Sequence, residues 1–265
     1  MNRSLSVCIV IYRPDLEELG RTLASFDTAL PPVAQIDRFI LVDNSPKPQN
    51  LRDWLTNISP TLPFKVFSGQ GNIGFGGANN LCLSQVGDYH LVLNPDVELA
   101  PDSLEKALAF MEAHPECGLL TPLVYGTDGK RQFLCKRYPA VLDLALRGFA
   151  PRWLQQLFKK RLDRYQMAEM SEDAVFWDPP IVSGCFMLFR GDVFKGLNGF
   201  DPDYFLYFED FDLSLRTAQI SRIAFVPQVR IIHGGGHASR KGAWHVWQFV
   251  KSGLTFYRKF GLKLW

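Results

Sequence analysis

Short apolar runs alternate with stretches of helical period through the N-terminal part of the chain. Leu5 to Tyr12 is rich in Val and Ile and reads as a buried strand. Pro14 and Asp15 open a helix whose Leu16, Leu19, Leu23 and Phe26 keep the helical period up to Pro31-Pro32. Phe39 to Val42 is a second buried strand, a polar helix covers Asn50 to Ile58, and Phe64 to Phe67 makes a third strand. A helix through Leu81, Leu83 and Val86 then leads to Leu91-Val92-Leu93, an unbroken apolar run that stops at Asn94-Pro95-Asp96. Pro101-Asp102-Ser103 opens the next helix, with Leu104, Ala107, Leu108 and Met111 on one face. Strands alternating with helices in this way predict an α/β fold with a doubly wound, mostly parallel central sheet.

The alternation is lost beyond His114-Pro115. Gly118 to Tyr125 and Gln132 to Lys136 read as two strands joined by a turn containing Asp128-Gly129, a hairpin signal. Tyr138 to Ala174 is basic and amphipathic, either a surface helix with a solvated face or a surface that meets anionic lipid. Ile181 to Arg190 reads as one strand, Ile223 to Val226 and Val229 to Ile232 as two more, and Trp244 to Phe260 as a closing helix.

Composition narrows this picture only a little. The 265 residues are 47% hydrophobic and 21% charged, ordinary for a globular chain with a substantial core. Lys plus Arg number 29 against 27 Asp plus Glu, so charge gives no reason to expect a nucleic-acid partner. Cys8, Cys82, Cys117, Cys135 and Cys185 are scattered without a Cys-x-x-Cys pair, as expected for reduced thiols in a cytoplasmic protein without structural zinc. The apolar run near the N-terminus meets Arg13 and Asp15 too soon for a signal peptide, and no run approaches the roughly 20 apolar residues of a membrane span. A soluble protein, or one attached to a membrane surface, is expected.

Candidate chemistry gathers where strands end. One strand stops at Asp43-Asn44-Ser45-Pro46 and another at Asn94-Pro95-Asp96. In open α/β sheets ligands bind outside the carboxyl ends of the strands. Asn-Pro-Asp is also an ordinary turn sequence, so Asp96 reads either as part of a turn or as a cation ligand. Between the two lies Gly69 to Asn80, with five glycines before a helix: either a flexible loop or backbone amides that approach a phosphate. It matches neither the dinucleotide fingerprint nor the Walker loop. Further on, Tyr204, Phe205, Tyr207 and Phe208 precede Glu209-Asp210 at a helix start. These carboxylates either cap the helix or supply a general base that the helix dipole keeps ionised, with the rings as a wall for a sugar. His233 precedes a glycine run and is either structural or a metal ligand, while Arg240 and Lys241 offer charge to a phosphate.

Val10-Ile11-Tyr12, Val42-Asp43-Asn44-Ser45, Gly71-Asn72-Ile73-Gly74-Phe75-Gly76, Leu93-Asn94-Pro95-Asp96, Gly184-Cys185-Phe186-Met187-Leu188, Gly199-Phe200-Asp201, Tyr207 to Leu213 and His233, in this order, resemble family 2 glycosyltransferases of the GT-A fold. Within that group the chain looks most like bacterial rhamnosyltransferases that build O-antigen and related cell-surface glycans, over nearly its whole length. The resemblance implies one GT-A domain over 1–265: a nucleotide-sugar half (1–115), an acceptor and catalytic half (116–233) and a C-terminal helical tail (234–265). It implies that Ile11, Tyr12, Arg13, Asp43 and Asn44 hold the nucleotide. Gly71, Asn72, Gly74, Phe75 and Asn79 would lie over the donor, and Asn94 and Asp96 would stand in the Asp-x-Asp position that binds Mg²⁺ or Mn²⁺, with His233 as a second ligand. Asp210 would be the base, Glu209 would orient the acceptor, and Gly184, Tyr204, Tyr207 and Phe208 would line the acceptor side. Asn94 replaces the first Asp of the motif, a form that rhamnosyltransferase-like members share, and leaves Asp96 as the only motif carboxylate.

The activity so implied is inverting transfer of L-rhamnose from dTDP-L-rhamnose to a glycan, carried on polyprenyl diphosphate at the inner face of the cytoplasmic membrane. The basic amphipathic stretches would face that membrane. Rival readings are another donor of the same fold (UDP-GlcNAc, UDP-galactose or GDP-mannose) and a non-catalytic nucleotide or glycan binder, which Asn94 permits. A nucleotidyltransferase would want a basic glycine-rich loop where this chain has Tyr12-Arg13-Pro14.

Overall fold

The computed structural model describes residues 4–29, 36–48, 51–58, 62–235 and 242–265. The N-terminal elements are β1 (Leu5–Ile11), α1 (Leu16–Ala29), β2 (Ile36–Asp43), α2 (Arg52–Ile58), β3 (Phe64–Ser68), α3 (Phe75–Asn80), β4 (Tyr89–Leu93), β5 (Val97–Leu99) and α4 (Ser103–Ala113). β6 (Cys117–Tyr125), β7 (Arg131–Gln132) and β8 (Cys135–Lys136) follow, then the short helices α5 (Val141–Phe149), α6 (Arg152–Leu157) and α7 (Lys159–Tyr165). The chain continues through β9 (Phe176–Trp177), β10 (Ile181–Val182), β11 (Phe186–Arg190), α8 (Gly191–Gly196), α9 (Glu209–Ile220), β12 (Arg222–His233) and α10 (Ala243–Phe260).

The main sheet runs β3-β2-β1-β4-β11-β6-β12-β5. Its first four strands are parallel, as the alternation of strand and helix predicts, and β6 and β12 are parallel to each other. β11 is antiparallel to both neighbours. Leu91 and Leu93 of β4 belong to the core beneath α1 and α4, while Val92 belongs to the core beneath α8 and α9. A strand covered on both faces needs apolar side chains at successive positions, hence the continuous run in the sequence. α1 starts where Asp15 Oδ1 accepts the N–H groups of Glu17 (2.9 Å) and Glu18 (3.2 Å), and it buries Leu19, Leu23 and Phe26.

Several expected elements are divided differently. Ile181 to Arg190 is not one strand: β10 pairs with β8 in a separate two-stranded sheet, and the chain turns at Ser183-Gly184-Cys185 before β11. Gln132 to Lys136 likewise splits, with β7 completing the hairpin on β6 and β8 leaving it. The two strands expected over 223–232 are one strand whose register slips between Val226 and Arg230, at Pro227, which has no N–H to donate to the ladder. The basic stretch folds as α5, α6 and α7, broken at Pro151 and at Phe158. After the glycine loop a short α3 is followed by a 3-10 turn at Leu83–Gln85. β5 and α8 were not anticipated: Val97–Leu99 is too short to show an alternation, and it pairs with the distant β12. No helix among the described residues is long and apolar enough to cross a membrane.

Candidate active site

Sheet register brings the chemistry to one edge. Ile11 pairs with Asp43, Asp43 with Ser68 and Ile9 with Leu93, so the carboxyl ends of four parallel strands lie side by side. β11 begins there, opposite Leu93, and β12 ends there with His233 beside Val97. Asp43 is buried; its Oδ1 accepts Ser45 N–H at 2.8 Å, while its Oδ2 is buried without a hydrogen-bond partner. Asn79 Oδ1 is likewise buried and unpartnered, its Nδ2 donating to Phe75 O at 3.0 Å. Buried polar atoms left open in this way are the exceptions that call for an occupant. Arg13, at a φ of 49°, donates its N–H to Ser45 Oγ at 2.8 Å, and Tyr12 beside it is exposed. Ile11 is fully buried and contributes through its backbone, its carbonyl accepting Asn44 N–H at 2.9 Å.

The glycine loop is tied on both sides. Asn44 Nδ2 donates to Gly74 O at 3.0 Å, Asn72 Oδ1 accepts Gly74 N–H at 3.1 Å, and Phe75 N–H donates to Phe205 O at 3.2 Å. Gly74 has a φ of 82°, and a Cβ there would lie 2.3 Å from Phe205 O. Only glycine satisfies both the backbone angle and that approach. The loop is therefore pinned between Asn44, at the end of β2, and the aromatic segment before α9.

Across the edge, Asp96 and His233 face each other, His233 Nε2 standing 3.4 Å from Asp96 Oδ2. Gln132 decides the state of the imidazole. Its Nε2 donates to His233 O at 3.0 Å, which leaves its Oε1, 2.9 Å from His233 Nδ1, to accept the Nδ1 proton. In the neutral ring the Nε2 lone pair then points toward a carboxylate oxygen. Two acceptors at that separation want a proton or a cation between them. Among the described residues no group of three or more His, Cys, Asp and Glu could close a cation site by itself. Two protein ligands nevertheless suit Mg²⁺ or Mn²⁺, hard cations that keep waters and substrate phosphates as their remaining ligands. Asn94 is held by its backbone, its N–H donating to Cys185 O at 2.9 Å.

The acidic pair opens α9. Asp210 Oδ2 accepts Gly184 N–H and Oδ1 accepts Phe211 N–H, each at 3.0 Å. Burial raises the Asp210 carboxyl above its usual value, while the Gly184 and Phe211 N–H groups and the charge on Lys136 oppose the rise. Glu209 is more deeply enclosed: burial, reinforced by the charge of Asp210, pushes its carboxyl up to about 8, and its Oε2 is buried without a partner. Burial thus favours the protonated form of Glu209 more strongly, while the Gly184 and Phe211 N–H groups and Lys136 favour the carboxylate form of Asp210. Lys136, buried in β8, was not singled out in the sequence because a lysine in a short strand reads as surface. Burial pushes its ammonium down to about 7, with Arg147 acting in the same direction and Asp210 against it.

The turn ahead of α9 is strained and braced. Tyr207 (φ 69°) and Phe208 (φ 65°) are consecutive left-handed residues, each costing on the order of 1–2 kcal/mol. α10 holds them: Ser252 Oγ donates to Leu206 O at 2.7 Å, Tyr207 Oη lies 3.0 Å from His245 Nδ1, and Phe208 packs on Phe249 and Phe256 with centroids 5.1 and 5.3 Å apart. This corrects one expectation. Tyr204 and Phe208 are buried in the cluster around Phe256 and offer no wall to a sugar, whereas Phe205 and Tyr207 keep exposed surface. Gly184 does sit beside the acidic pair, its Cβ position 3.5 Å from Asp210 Cβ and 3.3 Å from the Phe75 ring. Arg240 and Lys241 lie outside the described residues.

A family model described as glycosyl transferase family 2 matches residues 6–197. The chain is 29% identical to an N-acetylglucosaminyl-diphospho-decaprenol L-rhamnosyltransferase of Mycobacterium tuberculosis, covering 97% of this chain and 84% of that one. It is also 29% identical to rhamnosyltransferase WbbL of Escherichia coli over 64% of each chain. Among solved structures it superimposes on GalNAc-T7 with UDP, GalNAc and Mn²⁺ at a TM-score of 0.67 and 17% identity, covering 97% of this chain and 48% of that one. Mannosyltransferase PcManGT from Pyrobaculum calidifontis, in complex with GDP-Man and Mn²⁺, gives a TM-score of 0.62 at 16% identity, with 97% and 65% covered. At those identities the structures establish the fold, GT-A, which is the one expected from the sequence. Because the family match spans most of the chain and the relatives are sugar transferases, this protein is a glycosyltransferase and belongs to glycosyl transferase family 2.

Proposed function

We propose that the enzyme transfers L-rhamnose from dTDP-L-rhamnose, with inversion, to a hydroxyl of a glycan carried on polyprenyl diphosphate or growing at the cytoplasmic face of the membrane. The observation that carries this reading is the arrangement at one sheet edge: Asp96 and His233 face each other 3.4 Å apart, while Asp210, held by two N–H groups, stands at the start of α9 beyond β11. The two rhamnosyltransferase relatives, one of them named for a decaprenol diphosphate acceptor, support the choice of sugar and carrier. In this reading residues 1–115 hold the donor, 116–233 supply acceptor contacts and the base, and 234–265 form the brace.

Asp43 and Asn79 take the nucleoside through their open Oδ2 and Oδ1 atoms, with Asn44, Asn72 and Gly74 shaping the loop over it. Asp96 and His233 would hold Mg²⁺ or Mn²⁺, which when bound neutralises charge growing on the leaving diphosphate. The acceptor oxygen forms its bond to the anomeric carbon as the bond from that carbon to the phosphate oxygen breaks. The acceptor proton passes to Asp210, and attack on the face opposite the leaving group inverts the centre. Glu209, protonated and enclosed beside Asp210, orients the acceptor side of the site. Thermal melting against dTDP, UDP and GDP, each with Mg²⁺, Mn²⁺ or EDTA, tests the donor assignment, since a ligand of the native state raises the midpoint. The largest metal-dependent rise is expected with dTDP; a larger rise with UDP or GDP replaces the donor, and no rise with any of them overturns the reading.

A further inference from the structure

α10 is apolar on two sides. Phe249, Phe256 and Phe260 face the protein and pack around Phe208 and Tyr138. At about 100° per residue, Trp244, Trp247, Val250, Lys251, Leu254 and Arg258 fall within a stripe about 120° wide on the outward side. That stripe is exposed: Trp247 keeps 63% of its surface and Leu254 54%. The segment after the helix continues it, with Leu262, Leu264 and Trp265 exposed, the last at 78%. This segment is fastened beside the helix, Lys263 O accepting Val141 N–H at 2.8 Å and Leu264 O accepting Leu142 N–H at 3.1 Å.

Only one of the two apolar sides of α10 is covered by the protein, and Trp247, Val250 and Leu254 on the other stand in solvent. The charge pattern selects the occupant. From Gly242 to Trp265 the chain carries Lys251, Arg258, Lys259 and Lys263 and no Asp or Glu. Lys259 is committed to Asp201 and Asp212, and the other three cations are exposed among the Trp and Leu side chains. Tryptophans interleaved with unopposed basic residues fit the head-group region of an anionic bilayer, where the rings enter the interface and the ammonium and guanidinium groups reach lipid phosphates.

We propose that the outward face of α10 and the segment 261–265 dock the enzyme flat on an anionic phospholipid bilayer. The helix that meets the lipid is the one that braces the catalytic turn, through Ser252 on Leu206, His245 on Tyr207 and Trp244 against Phe205 at 5.9 Å. Docking would therefore set the acceptor side of Asp210 at the height of the lipid head groups. This benefit to catalysis rests on the lipid-linked acceptor proposed above; the docking itself does not.

The test is flotation of the full chain, without donor or acceptor, on phosphatidylcholine vesicles and on vesicles containing phosphatidylglycerol. Binding is expected to the anionic vesicles and to weaken with salt. Lys251→Glu with Arg258→Glu should weaken it at least 20-fold, roughly fivefold for each cation lost near an anionic leaflet. Trp247→Ala with Leu254→Ala should weaken it at least tenfold. Both variants should keep the wild-type melting midpoint and nucleotide-induced rise, which excludes misfolding. No vesicle binding by the wild type overturns the proposal, and so does a dimer in solution that Trp247→Ala with Leu254→Ala converts to monomer. Vesicle binding without any nucleotide-induced rise leaves the docking face standing and removes the proposed donor reading instead.

Discussion

Replacing Gly74 by alanine probes the link between the glycine loop and the turn ahead of α9. Gly74 has φ 82° and ψ 168°, a region that side-chain-bearing residues enter at a cost of about 1–3 kcal/mol. The new Cβ would also lie 2.3 Å from Phe205 O and 3.0 Å from its carbonyl carbon, both backbone atoms that cannot rotate aside. The same oxygen accepts Phe75 N–H at 3.2 Å, so retreat of Phe205 weakens that bond. Relieving the overlap costs about 1–3 kcal/mol by comparison with overpacked cores, for a total of about 2–6 kcal/mol. Gly71 is the internal control: it too has a positive φ, 70°, but a Cβ there meets nothing within 4 Å, and Gly71→Ala should cost only about 1–2 kcal/mol. Urea unfolding and sugar-transfer kinetics on both variants read the difference. Gly74→Ala should lose more stability than Gly71→Ala and, where still folded, about 10²-fold in kcat/KM, because the loop no longer registers with the turn that carries Asp210. Equal losses in the two variants would refute the reasoning, since the loop could then leave Phe205 freely.

Asp210→Asn should lower kcat by about 10²–10⁴-fold while the nucleotide-induced rise in melting temperature stays, as expected when a base is removed from an intact donor site. Lys136→Met removes a cation that holds the Asp210 carboxyl down, so that carboxyl rises further and the acid limb of the kcat/KM profile moves to higher pH; a limb that stays put would uncouple the two residues. Gln132→Ala frees His233 to adopt the other tautomer and should weaken Mn²⁺ binding, followed by metal titration of the melting midpoint, about 10–100-fold.

The N-terminal half was legible because its physics is local. Strands covered on both faces need unbroken apolar runs, and their ends coincide with Asp43 and with Asn94-Pro95-Asp96. The helix beginning at Glu209 was read from its acidic first turn. What escaped depends on distant partners. The break at Gly184 exists because β10 pairs with β8, and the apolar run gives no sign of it. The aromatic segment showed four rings but not which of them α10 would cover, so Tyr204 and Phe208 seemed available to a sugar. Gln132 and Lys136 gain their meaning from His233 and from Asp210, which the chain reaches only much later.

The most direct measurement incubates the purified enzyme with dTDP-L-rhamnose and an N-acetylglucosaminyl-diphospho-polyprenol, with and without EDTA, and follows both the release of dTDP and the glycan product by mass spectrometry and anomeric NMR. Stoichiometric gain of one rhamnosyl residue in inverted configuration, abolished by EDTA and by Asp210→Asn, is the expected result. Product with retained configuration, or undiminished transfer by Asp210→Asn, would contradict the assignment of Asp210 as the base.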